Sequence, residues 1–122
     1  MEKAKGFYEK EETFKFELKH YELISSKKLL KLKNDDIKSS GYVVDTILAA
    51  LWTLVITNSY KACILKAVNL GFDTDTVAAV AGGLAGIYYG LDNISDEWKN
   101  KIAKKEYVEG ICNDFSLLFD EK

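Results

Sequence analysis

The run Asn69-Leu70-Gly71-Phe72-Asp73-Thr74-Asp75-Thr76-Val77-Ala78-Ala79-Val80-Ala81-Gly82-Gly83-Leu84-Ala85-Gly86-Ile87-Tyr88-Tyr89-Gly90 reads as a tight turn opening into one long helix. Gly71 suits a left-handed end for whatever precedes it, and Gly90 suits the far end of the new helix. Between them the helix is expected from Asp73 or Thr74 to Tyr89, with a middle made almost wholly of small residues. Its three internal glycines each cost about 1 kcal/mol relative to alanine. Close backbone approach by neighbouring helices is the expected compensation. At the helix start, Asp73, Asp75 and Thr76 offer two carboxylates and a hydroxyl, hard oxygen donors of the kind Mg²⁺, Mn²⁺ or Ca²⁺ take. The same residues also describe an ordinary capped helix, with Asp73 at the cap and Asp75 set against the positive end of the helix dipole.

Outward from this run the pattern stays helical. Tyr42 to Thr57 is apolar on almost every face, which predicts a central, buried helix. Asn58-Ser59 then offers an N-cap for a helix over Tyr60 to Leu70. Downstream, Trp98 anchors a short segment, and Glu106 to Phe119 repeats apolar residues at amphipathic spacing. Upstream, Tyr21 to Leu32 predicts an amphipathic helix with Lys27, Lys28, Lys31 and Lys33 on a solvated face. Residues 1 to 20 mix Lys and Glu with Phe14, Phe16 and Leu18 at a strand-like period, and suit a segment that follows something else. There is no proline in the 122 residues, so nothing prevents successive helices with short connections.

Composition excludes several function classes. Hydrophobic residues make up 48% and charged residues 30%, ordinary values for a soluble domain. The net charge is only -2, and all 17 basic residues are lysines. Without arginine the chain lacks the forked donor best suited to phosphate and guanine, so nucleic acid is not an expected partner. The longest apolar run, Ile47 to Ile56, is too short to cross a bilayer, and no membrane partner is expected. Cys63 and Cys112 do not have metal-ligand spacing, and each is expected in the core as a reduced thiol of a cytoplasmic protein. His20, the single histidine, has no partner pattern that would mark it as catalytic.

Three stretches together resemble the ADP-ribosylglycohydrolase family. Asn69 to Gly90 resembles its last metal-binding segment. Ser39-Ser40-Gly41-Tyr42-Val43-Val44-Asp45-Thr46 with Ala49-Ala50-Leu51-Trp52 resembles the preceding helix, and Ile94 to Trp98 resembles its Ile-Pro-x-x-Trp turn. The resemblance implies an all-α fold, here a compact bundle of about five to six helices corresponding to the C-terminal half of the family fold. Residues 41–122 would form that part, preceded by a charged, amphipathic segment over 1–40. It also implies a two-metal centre, Mg²⁺ or Mn²⁺, that serves hydrolysis of the glycosidic bond at ribose C1″ of ADP-ribosylated substrates. On this match Asp73, Asp75 and Thr76 are metal ligands, and Gly41 and Tyr42 contact ADP-ribose. Tyr42 equally suits a core tyrosine at a helix start.

The match departs from the family pattern in three places. Phe72 stands where the family often has glycine or a polar residue. Ser95 replaces the proline of the turn, which is expected to loosen it. The family's Thr-Asp-Asp cluster and Gly-Asp-x-x-Gly segment have no counterpart in residues 1 to 40, so no catalytic residue is assigned. The expectation is a half-site: a C-terminal fragment, inactive alone, or a module that has lost the chemistry. The expected partners are ADP-ribose or an ADP-ribosylated protein or small molecule, with a homo-oligomer or a complementing N-terminal chain as the assembly.

Overall fold

Gly41, Gly71 and Gly90 adopt φ angles of 79°, 88° and 83°, and each sits at the edge of a helix. Those angles lie in the left-handed region that glycine enters without steric cost. The computed structural model describes residues 6–10, 12, 18–25 and 28–120. Its helices are α1 (Leu18–Ser25), α2 (Val43–Ile56), α3 (Tyr60–Val68), α4 (Thr74–Tyr89), α5 (Asp96–Asn100) and α6 (Lys105–Asp120). Single 3-10 turns lie at Leu29–Lys31, Asn34–Asp36 and Leu91–Asn93. Among the described residues there is no strand, and the fold is the all-α bundle expected.

The centre is a three-helix layer in which α2, α3 and α4 pack pairwise. Its shared face is built from alanines: Ala49 and Ala50 from α2, Ala67 from α3, Ala81 and Ala85 from α4, all fully buried. Cys63 and Val77 are buried among them. Small side chains let the helices approach closely, and burial of a side chain such as Val77 is worth about 1.5–3 kcal/mol. Trp52 closes the layer at one side, donating its indole N–H to the Leu32 carbonyl at 3.2 Å. Leu29 and Ile37 belong to the same buried cluster.

Helix ends follow local chemistry. The Ser59 hydroxyl accepts from the Ala62 N–H at 3.2 Å and starts α3 as expected. At the end of α2, the Thr57 hydroxyl donates to the Thr53 carbonyl at 2.6 Å, and the Tyr89 hydroxyl donates to the Thr57 carbonyl at 3.0 Å. That second bond ties the end of α4 to the end of α2.

Several sequence expectations are corrected. Where a helix was expected over Tyr21 to Leu32, the described residues show α1 over Leu18–Ser25 and a 3-10 turn at Leu29–Lys31, with residues 26 and 27 outside the described ones. Phe14 and Phe16 fall outside the described residues, as does the side chain of His20. The glycines of α4 do not mediate close packing. A Cβ at Gly83 or Gly86 would meet nothing within 4 Å, and at Gly82 it would make only ordinary contacts with Ile64 and Tyr60. The alanines carry the packing because they, not the glycines, occupy the face of α4 turned to α2 and α3. Ser95 does not loosen its turn: its carbonyl accepts from Trp98 and Lys99 N–H at 3.0 and 3.1 Å, and α5 starts there. Cys112 is exposed rather than interior. It lies on α6, whose apolar side chains Tyr107, Val108, Ile111, Phe115, Leu118 and Phe119 are all exposed.

Candidate functional site

The loop before α2 and the loop before α4 are held against each other by Ser39. Its side chain is buried, its hydroxyl donates to the Gly71 carbonyl, and its own carbonyl accepts from the Asp73 N–H at 3.0 Å. Both partners lie in the turn that opens α4, so one serine fixes both sides of that turn. Gly41 follows two residues later. A Cβ there would lie 2.9 Å from Asp73 Oδ2, so the carboxylate would have to shift. The φ of 79° favours glycine at position 41, and any side chain there would push against the Asp73 carboxylate. In this way the structure brings Gly41 and Asp73, two of the expected site residues, into direct contact.

Asp73 occupies the N-cap position of α4, yet its side chain makes no capping bond to the backbone. Instead Oδ1 accepts the Thr76 hydroxyl at 2.9 Å. An aspartate at this position usually accepts from the N–H groups of the first turn. Here the carboxylate leans toward Gly41 and Thr76, so the capped-helix alternative is not what Asp73 does. Asp75 lies in the first turn of α4 and is exposed, as is Thr76.

Tyr42 is the N-cap residue of α2 and is 51% exposed, so it is not the core tyrosine allowed by its sequence. Its N–H donates to the Ser40 hydroxyl at 3.3 Å, and that hydroxyl donates to Asp45 Oδ2 at 2.6 Å. Asp45 therefore positions the loop that presents Tyr42. Phe72, next to Asp73 in sequence, has a φ of 61° and is 95% exposed. A left-handed φ explains why glycine or a small polar residue is the easier choice at that position.

Sequence reasoning missed two features. Ser39 was visible only as part of a small-residue boundary, although burial makes it the fastener of the site. The Thr46 hydroxyl oxygen is buried with no hydrogen-bond partner among the described residues. Nothing in a helical Val-Asp-Thr-Ile sequence signals such an orphan.

The donor set can be tested against a divalent cation on chemistry alone. A carboxylate has about four lone-pair sites. Asp73 uses one known acceptor position for Thr76 and makes no cap bond, so capacity for a cation remains. Asp75 and the Thr76 hydroxyl add oxygen donors at the exposed end of the same turn. A hard cation of this class takes about six oxygens, so these residues fit part of a shell. No group of three or more His, Cys, Asp and Glu side chains gathers among the described residues.

Comparison with known proteins places this geometry in context. A family model described as ADP-ribosylglycohydrolase matches residues 1–122. The ADP-ribosylarginine hydrolase Tri1 of Serratia proteamaculans is 38% identical over 100 residues, 82% of this chain and 27% of that protein. The ADP-ribosyl-[dinitrogen reductase] glycohydrolase of Rhodospirillum rubrum is 43% identical over 68 residues, 56% of this chain and 23% of that protein. Human ADP-ribosylhydrolase ARH3 is 31% identical over 64 residues, 52% of this chain and 18% of that protein. The chain thus spans about a quarter of the length of the Tri1 relatives it matches, 27% and 26% of two such proteins.

Proposed function

This chain belongs to the ADP-ribosylglycohydrolase family, and we propose from that membership that it carries one half of a metal-dependent site for hydrolysing the C1″ glycosidic bond of ADP-ribosylated substrates. The single observation behind the proposal is the contact between Gly41 and Asp73, which joins the two motif-bearing loops at one point. Asp73, Asp75 and Thr76 would hold Mg²⁺ or Mn²⁺. When bound, such a cation supplies Lewis acidity and a positioned water.

The chain's own residues prepare that chemistry. Ser39 fixes the turn and Gly41 leaves room for the Asp73 carboxylate, so its oxygens are preset rather than ordered on binding. Such presetting saves the entropy that a mobile ligand would lose. Thr76 orients Oδ1 of Asp73. Tyr42, half exposed at the start of α2, offers an aromatic face and a phenol to the ADP-ribose moiety. The relatives named as arginine hydrolases favour an ADP-ribosylated arginine as the substrate class. The remaining ligands would come from a complementing chain or segment, and the chain by itself would not turn over.

Hydrolysis of an ADP-ribosylated arginine peptide with Mn²⁺ tests the half-site reading. The expected result is no turnover by the chain alone and activity only when a polypeptide bearing the family's Thr-Asp-Asp cluster is added. Robust turnover by the chain alone contradicts it.

A second reading, association without chemistry, has one observation in its favour: the exposed apolar side chains of α6. Extended apolar surface drives association, with a second copy or with a complementing chain. A cytoplasmic setting belongs to the same proposal and is supported by the two free thiols, Cys63 and Cys112. Among the described residues no helix is long and apolar enough to cross a membrane.

A further inference from the structure

Every residue of α6 from Glu106 to Phe119 is exposed, although Tyr107, Val108, Ile111, Phe115, Leu118 and Phe119 give the helix an apolar stripe. A helix of 16 residues has little stability of its own in water, and in proteins that stability comes mainly from packing an amphipathic face. We infer that the stripe seats a helical polypeptide equivalent to the part of the Tri1 relatives that this chain does not match. The inference takes its partner from the half-site reading, which needs the same polypeptide for the remaining ligands.

Three observations choose this occupant over a second copy of the chain. At about 100° per residue the six side chains span an arc of about 120°, and Cys112 widens it to about 140°. An arc of that width belongs to a helix lying on a layer of others, whereas a helix paired with its own copy uses a narrower seam. The apolar surface also continues past α6. Val108 and Cys112 border an open cavity of about 390 Å³ with Leu91 and Ile102, both exposed, so the surface is wider than one helix covers. Finally, α6 lies inside the family match over residues 1–122, so its stripe belongs to the shared fold. The match spans 27% and 26% of two Tri1 proteins, which leaves about three quarters of each to supply the covering layer.

The test is co-expression of the tagged whole chain with Tri1 of Serratia proteamaculans from which the matched segment is removed, followed by affinity capture and hydrogen exchange. A one-to-one complex is expected, with α6 amides protected only in the complex. Ile111→Lys combined with Phe115→Lys should lower the captured partner at least about tenfold. Leu117→Lys, exposed but off the stripe, should not. All three positions are exposed, so the free variants should unfold at the wild-type temperature, and a lost complex is then not a lost fold. No complex with the wild-type chain, capture that survives the double variant, or an equal loss in Leu117→Lys overturns the inference. So does a wild-type dimer that the double variant dissolves, which would assign the stripe to a second copy. Titration of Mn²⁺ into the free chain separates the two readings. Mn²⁺ binding without a complex removes the docking surface alone, and a stripe-dependent complex without Mn²⁺ binding supports the docking surface and removes the half-site.

Discussion

Asp73 Oδ2 lies 2.9 Å from the point where a side chain on Gly41 would begin, so the backbone of one loop forms the wall against which the carboxylate of the other rests. Gly41→Ala would force the two apart and would also place a side chain at a φ of 79°. The expected cost is about 1–3 kcal/mol of stability. Thermal unfolding would register it, and Mn²⁺ affinity would fall together with it. An alanine variant of unchanged stability and affinity would show that the contact does not constrain Asp73.

Ser39→Ala removes the hydroxyl that reaches the Gly71 carbonyl but leaves the backbone bond to Asp73. Loss of this part-buried hydrogen bond, whose acceptor residue is exposed, costs about 0.5–1.5 kcal/mol. Denaturant unfolding should show a lower midpoint with an unchanged slope. Hydrogen exchange should report faster exchange of the Asp73 amide.

Thr46→Val has the opposite sign. The Thr46 hydroxyl is buried without a hydrogen-bond partner among the described residues, whereas valine keeps the shape and removes the polar atom. A gain of about 1 kcal/mol is expected, the cost of an unsatisfied buried group being about 1–3 kcal/mol. A lower unfolding midpoint for Thr46→Val would mean that the hydroxyl has a partner after all.

Burial raises the Tyr60 phenol above its ordinary value of 10.0, and the nearby Cys63 adds to the shift. The folded chain therefore holds that proton more tightly than the unfolded chain. Its contribution is fully present below pH 10.0 and is lost as the pH rises toward the raised folded value. Wild-type stability should fall on that alkaline limb, and Tyr60→Phe should show a shallower fall in urea unfolding on either side of pH 10.0.

The long elements were legible in the sequence because local signals agreed with tertiary demand. Ser59 caps α3, Gly90 ends α4, and α2 lies within one residue of its expected ends. The failures have physical causes. The glycines of α4 were expected at the tight contacts, but periodicity does not say which small residues face the neighbours, and the alanines do. The apolar spacing of α6 correctly marked a helix, but amphipathic spacing fixes neither a partner nor a buried face, and Cys112 is exposed with its neighbours. At the candidate site the residues Asp73, Asp75 and Thr76 stood out by type. The engagement of Asp73 with Gly41 and Thr76 in place of its own helix backbone did not, since it depends on a loop distant in sequence.

The most direct measurement is calorimetric titration of Mn²⁺ into the wild-type chain and into Asp73→Asn. Asparagine keeps the shape and the Thr76 hydrogen bond while removing the charge that a cation needs. The half-site account predicts saturable binding by the wild type and a loss of at least about tenfold in Asp73→Asn, equivalent to about 1.4 kcal/mol, with both proteins unfolding at the same temperature without metal. Equal binding by the two proteins, or no binding by the wild type, would contradict it.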